Sequence, residues 1–140
     1  MANEMENGNL KALNELKSAI ENSHRIVVLT GAGASVPSGI PDFRSAHGLY
    51  ATSFGKYPAE TVISHDFFMM HPKEFYDFYK SKMVYPDAKP NAMHALLARL
   101  ERTEKIEGIV TQNIDGLHQA AGSKKVFELH GSISVSYTHL

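Results

Sequence analysis

The chain has 140 residues, enough for one domain with its own apolar core. Its apolar fraction of 43% and charged fraction of 21% are those of an ordinary soluble fold, and a net charge of −1 excludes the electrostatic footprint of a nucleic-acid or membrane-surface binder. It contains no cysteine, which excludes disulfides and thiolate metal sites within it, and no apolar run approaches the ~20 residues of a membrane span. The first residues are acidic and then amphipathic, unlike a signal peptide, so a cytoplasmic protein is expected.

Leu10, Leu13, Leu16 and Ile20 recur at helical spacing among Lys and Glu, which predicts an amphipathic helix from Asn9 to Asn22 docked on the core. RIVVLT, Arg25 to Thr30, is a β-branched apolar run that stops at Gly31, the pattern of a parallel strand buried on both faces. Gly39 to Tyr57 is rich in Gly, Pro, Ser and aromatics without a period. A loop this long in a compact domain is usually functional or mobile. PAETVI and DFFMM read as short helices. HPKEFYDFYKSKM reads as a longer one, with Pro72 at its start and a packing face of Phe75, Phe78 and Tyr79.

KPNAMHALLARLERTEK is a further helix with Ala92, Leu96, Leu97 and Leu100 on one face and His94 as a hydrogen-bonded structural histidine. A second strand follows at Ile106 to Thr111, then a turn and a short helix ended by Gly122, then a third strand from Val126 to Gly131. Strands separated by helices give an α/β fold: a partial Rossmann-like parallel sheet flanked by helices, half the usual size.

Ligands of open parallel sheets bind beyond the carboxyl ends of the strands. Three polar clusters stand there: Gly31–Ser35 after the first strand, Gln112–Asp115 after the second, and His130 after the third. Gly31 and Gly33 suit either a tight turn or close approach of backbone amides to a pyrophosphate. A dehydrogenase fingerprint is not met, because Val36 stands where its third glycine belongs and no acidic residue closes a second strand about 20 residues on. TQNID suits a turn and helix cap, or a grip on a carboxamide and a ribose hydroxyl. His130 suits a structural role or a general base.

Taken in order, GAGAS, GIPDFR, TQNID and HG resemble the sirtuin family of NAD-dependent protein deacylases, from about Arg25 to Gly131. AKPNAMHALLARL and AGSKKVFELHG are similar to its bacterial members. The resemblance implies a protein lysine deacetylase that consumes NAD as co-substrate. Gly31, Ala32, Gly33 and Ser35, with Val36 nearby, would then hold the phosphates and adjoining ribose, while Phe43 and Arg44 cover the cofactor. Gln112 and Asn113 would contact the nicotinamide-side ribose, and Ile114 and Asp115 would bind the carboxamide. His130 would be the general base and a further cofactor contact, with Asn113 and Asp115 counted beside it as catalytic. The partners implied are acetyl-lysine proteins or peptides, with no nucleic acid and no membrane.

Family members preferring succinyl or malonyl groups carry a Tyr and an Arg three apart after GIPDFR. Here Ser53 stands three residues after Tyr50, so acetyl or another neutral acyl group is expected.

The family continues past HG with two cysteine pairs holding a structural zinc and with the second half of the sheet. This chain has no zinc ligands of that kind. The division expected is an N-terminal helix at 1–24, the N-terminal part of a sirtuin NAD-binding catalytic domain at 25–133, and an atypical tail at 134–140 that lacks the family's pattern and is read as non-native. A chain so truncated is expected to bind peptide poorly and to be weak or inactive alone. Two further readings use the same pocket: a zinc-free NAD hydrolase, and a non-catalytic NAD or ADP-ribose binding module.

Overall fold

The computed structural model describes residues 2–133; the tail read as atypical, 134–140, lies outside the described residues. In chain order the elements are α1 (Ala2–Asn22), β1 (Ile26–Thr30), a 3-10 helix (Ala32–Ser38), a second 3-10 helix (Leu49–Ala51), β2 (Ser53–Phe54), β3 (Tyr57–Pro58), α2 (Ala59–Val62), α3 (His65–Met70), α4 (Pro72–Lys82), α5 (Ala92–Arg102), β4 (Ile106–Thr111), α6 (Leu117–Ala120) and β5 (Val126–Glu128). The α/β reading holds. A three-stranded parallel sheet has the order β1-β4-β5, with β4 in the centre.

The helix boundaries follow local chemistry. Ser64 caps α3 by accepting the Phe67 N–H. Proline opens α4, where its missing N–H costs nothing, with Glu74 in the first turn and Lys80 and Lys82 in the last, matching the helix dipole. At α5 the Asn91 side chain accepts from the Met93 and His94 amides, and the His94 ring accepts the Asn91 N–H in return.

An aromatic core gathers between Leu49 and Phe78. Leu49, Ala59, Val62, Phe67 and Phe78 are buried together, with Phe54 edge-on to Phe78 at 5.7 Å and Tyr57 edge-on to Phe67 at 4.9 Å. Phe78 is thus packing, as its spacing predicts.

Four expectations are corrected. α1 extends N-terminal of Asn9, and it is not docked along its apolar stripe: Leu10, Leu13 and Leu16 are exposed. What holds it is its C-terminal end, where the Lys105 ammonium donates to the carbonyls of Ile20, Glu21 and Ser23 at 3.4, 2.6 and 2.9 Å.

β1 is not buried on both faces either. Val27 is 68% and Leu29 66% exposed, because α5 and α6 cover only the face that carries Thr30, Ile109 and Thr111. On α5 the buried residues are His94 and Ala98 rather than the predicted leucines, and Ala92 and Leu96 are exposed. The buried polar ring turns the helix away from its leucine face. Finally, β5 stops at Glu128, so His130 lies in the turn beyond the strand.

The long loop is ordered by backbone bonds rather than by a period, which is why sequence periodicity missed it. Leu49 N–H donates to Asp42 O at 2.7 Å and Tyr50 N–H to Phe43 O at 2.9 Å. Hydrogen bonds from Ser45, side chain first and then backbone, hold the Asp42 carboxyl below its ordinary range. The two segments meet at Gly48, where a Cβ would stand 2.7 Å from the Phe43 carbonyl carbon and 2.8 Å from its oxygen.

Gly48→Ala is therefore expected to destabilise by about 1–3 kcal/mol through overpacking against backbone. Gly8→Ala meets nothing within 4 Å inside α1 and is expected to leave stability level or raise it slightly. Urea midpoints of the two variants, compared with the parent, check both signs.

Candidate functional site

β1 and β4 end side by side. Thr30 pairs with Thr111, and the Thr30 hydroxyl donates to Thr111 Oγ1 at 2.8 Å. The chain therefore leaves the sheet twice at one place, once into Gly31 and once into Gln112, whose N–H donates to Thr30 O at 3.0 Å.

From there the two polar clusters interlock. The Asn113 amide nitrogen donates to Gly31 O and to Ser35 Oγ, both at 3.1 Å, and the Ser35 hydroxyl donates to Asp115 Oδ2 at 2.6 Å. Asp115 Oδ1 accepts the Leu117 N–H at 2.9 Å, so the carboxylate is gripped at both oxygens. Ser35 is fully buried and Asn113 nearly so. Both Asn113 N–H groups are committed inward, which leaves its oxygen as the atom it can still offer.

The turn itself, Ala32–Ser38, is held from a second side. Asn91 Nδ2 donates to Ala34 O at 2.9 Å and to Ser38 Oγ at 3.0 Å. Gly39 ends the turn at φ +87°, a left-handed conformation that glycine adopts without strain. At Gly33 no atom beyond its chain neighbours and the turn's own backbone lies within 4 Å of where a Cβ would stand, so the outer side of the turn is open to a ligand that approaches the backbone.

The third cluster joins the same rim. Leu129 N–H donates to Thr111 O and Ile133 N–H to Ile114 O, each at 2.9 Å, and between these ties His130 Nδ1 lies 3.0 Å from Gln112 O. A carbonyl oxygen can only accept, so Nδ1 carries the proton and Nε2 is left as a free base in an exposed ring.

Of the predicted site residues, Gly31, Ser35, Gln112, Asn113, Ile114, Asp115 and His130 meet in this hydrogen-bonded rim, with Ala32, Gly33 and Val36 on the same turn. Phe43 and Arg44 have their contacts elsewhere: Phe43 packs edge-on to Tyr50 at 5.5 Å and against the aromatic core, and the Arg44 guanidinium lies 5.9 Å from the Tyr50 ring.

Sequence reading missed Asn91 and His118. Nothing in the sequence marked Asn91 as a clamp on a turn 53 residues away. His118 is buried beneath the rim with Nε2 2.9 Å from Thr30 Oγ1, and its ring meets that of His94 edge-to-face at 4.8 Å.

Residues 31–138 match the Sir2 family. The chain belongs to that family. This Sir2 chain is 55% identical over 126 residues to the NAD-dependent protein deacetylase of Clostridium perfringens, covering 89% of this chain and 52% of that protein. It is 50% identical over 127 residues to the protein of the same name from Thermotoga maritima, covering 89% and 49%. Among solved structures, a Sir2 complex with deacetylated p53 peptide and 3'-O-acetyl ADP ribose superposes with a TM-score of 0.76 at 50% identity, covering 86% of this chain and 48% of that one. A Sir2 complex with p53 peptide and NAD+ gives 0.71 at 50% identity, covering 85% and 45%. The Sir2 chain spans about half the length of the curated relatives it matches.

Burial lowers the pKa of His94, with Asp115 opposing. It also lowers that of His118, helped by His94 and again opposed by Asp115. Both rings thus stay neutral in the fold at pH values where the unfolded chain, with an ordinary value of 6.5, takes up protons. Stability from this pair is fully present above pH 6.5 and is lost as pH falls below it. Thermal midpoints are expected to be level from about pH 8 to 7 and to drop below pH 6.5, with a shallower drop in His118→Gln.

Proposed function

We propose that this chain forms the NAD-binding part of an NAD-dependent protein lysine deacetylase. Residues 25–133 are the N-terminal portion of the catalytic domain, and the cytoplasm is the working compartment. The single observation that carries the reading is the convergence of the Gly31 turn, the Asn113–Asp115 segment and His130 on one hydrogen-bonded rim, in a chain 55% identical to a protein of that name.

The residues fit the nucleotide. The open side of Gly33 gives a pyrophosphate access to the backbone of Gly31, Ala32, Gly33 and Ser35, with Val36 beside the adjoining ribose. Gln112 and Asn113 face the nicotinamide-side ribose, and Ile114 and Asp115 hold the carboxamide. Phe43 and Arg44 close over the cofactor from the long loop, a step that requires that loop to move from its packing on Tyr50.

NAD bound there supplies a ribosyl carbon from which nicotinamide departs as a neutral molecule, open to attack by the acyl oxygen of an acetyl-lysine. The protein's part is to exclude water, to orient the carboxamide, and to remove a ribose-hydroxyl proton at His130 Nε2 while Gln112 O keeps the ring in register. With one water entering after the ribose hydroxyl has attacked the acyl carbon, to release the lysine amine, the products are lysine, nicotinamide and an O-acetyl ADP-ribose. A neutral acyl group suits the segment after Tyr50, where Ser53 offers no charge to a buried carboxylate. The 140 residues contain no cysteine, so the family's structural zinc finds no thiolate here and enters no step.

Titration calorimetry with ADP-ribose is the first test. Binding by the parent chain is expected. Gly33→Val, which fills the open side of the turn, and Asn113→Ala, which frees Gly31 and Ser35, are each expected to weaken it roughly tenfold. His130→Ala is expected to hold affinity within about threefold while nicotinamide release in the presence of an acetyl-lysine peptide falls by about 10²-fold or more. A parent chain that binds no ADP-ribose, or a His130→Ala variant that keeps the full turnover of a parent with measurable activity, overturns the reading.

A further inference from the structure

The catalytic reading uses His130 and leaves two buried histidines without a role. His94 and His118 are almost fully enclosed, and each has one ring nitrogen with no hydrogen-bond partner, Nε2 on His94 and Nδ1 on His118. Burying polar atoms in this way is unfavourable, and packing alone would be served by leucine or phenylalanine at lower cost.

Their other nitrogens show what the rings are attached to. His94 Nδ1 accepts the Asn91 N–H at 3.3 Å, so the proton of the neutral ring is on Nε2. The Thr30 hydroxyl donates to Thr111 Oγ1, so the contact between Thr30 Oγ1 and His118 Nε2 must be supplied by a proton on His118 Nε2. Thr111 Oγ1 in turn accepts the Asn113 N–H at 3.1 Å. The two unpartnered nitrogens are then complementary, an N–H on His94 and a lone pair on His118, on rings that meet at 4.8 Å and 64°.

The two ends of this chain of groups are the two asparagines that hold the glycine turn. Asn91 holds it at Ala34 and Ser38, and Asn113 holds it at Gly31 and Ser35. We propose that His94 and His118 are positioning residues of the nucleotide turn, which as neutral Nε2–H tautomers in edge-to-face contact join its two asparagine clamps into one polar relay: Asn91 N–H donates to His94, His118 donates to Thr30 and Thr30 to Thr111, and Thr111 also accepts the Asn113 N–H. This rests on the reading of Ala32–Ser38 as the nucleotide-binding turn. The relay makes the turn's geometry a property of α5, β1, β4 and the segment after β4 together, so that neither clamp relaxes alone.

The test combines ring tautomers with two opposed substitutions. Long-range nitrogen–proton spectra of the chain at pH 7.5 are expected to show both rings neutral and protonated at Nε2. His118→Gln keeps an N–H donor and discards the ring; His118→Phe keeps the ring and discards the donor. If the relay operates, the amide signals of Gly33, Ala34 and Ser35 stay near their parent positions in His118→Gln and shift and broaden in His118→Phe. ADP-ribose affinity then falls roughly tenfold in the phenylalanine variant and within about threefold in the glutamine variant. A purely packing role predicts the reverse order, and that order, or a His118 ring protonated at Nδ1 alone, overturns the proposal. Thr30→Val, which removes one hydroxyl at nearly constant volume, is expected to behave as His118→Phe does and decides the matter should that variant fail to fold. If the parent chain binds no ADP-ribose, the nucleotide reading fails, while the tautomers and amide signals still decide the relay.

Discussion

The register between β1 and β4 is the constraint on which the rest depends. Thr30 opposite Thr111 brings two threonine hydroxyls to 2.8 Å at the carboxyl ends of neighbouring parallel strands, so the segments after them leave the sheet side by side. A slip of β1 by one residue would turn Thr30 to the opposite face, away from Thr111, and bring its alternate side chains inward. Gly31 would then lose Asn113, and Ser35 would lose Asp115. Parallel pairing is made from long crossovers with no short hairpin to enforce alignment, so the side chains must specify it. Here the hydroxyl pair and the ties that flank it do so: Ile26 N–H to Lys105 O at one end, Gln112 N–H to Thr30 O at the other.

The molecule separates two ways of ordering backbone. Between Leu49 and Phe78 order comes from apolar burial and aromatic edges, which are strong but weakly directional. Around the glycine turn order comes from a closed set of polar contacts among Thr30, Ser35, Asn91, Thr111, Asn113 and Asp115. Polar networks in a low-dielectric setting fix angle as well as distance, and each partner left unmatched is unfavourable. A turn whose backbone must keep one geometry is better served by the second kind. The small side chains there, Gly, Ala and Ser, leave little apolar surface with which to build the first.

The sheet and most helices were legible because their signals are local: β-branched runs stopped by glycine, Pro72 at a helix start, and the apolar spacing of α4 and α5. The meeting of three strand-end clusters was legible from topology, since a parallel sheet places all carboxyl ends on one edge. What failed depended on neighbours. The leucine stripe of α1 and the alternation of β1 describe surfaces able to be buried, but which faces are covered depends on the helices beside them, and α5 and α6 cover only one. On α5 the leucines drew attention to the wrong face, because a histidine that caps its own helix and meets a second ring outweighs them. Gly48 gave no sign, since its φ is ordinary and only the backbone of Phe43 makes a side chain there impossible.

Three histidines show why residue type alone did not resolve the site. His94, His118 and His130 stand at comparable places in sequence, each at or near the end of an element. Their environments assign them different protons. His130 is exposed, with Nδ1–H on Gln112 O and Nε2 facing solvent. His94 and His118 are enclosed, with burial opposing charge, and their Nε2 protons point into the protein toward a ring or a hydroxyl. A group that holds geometry must keep its proton where it is. The difference between these rings and His130 is made by which nitrogen the fold occupies and whether solvent reaches the other.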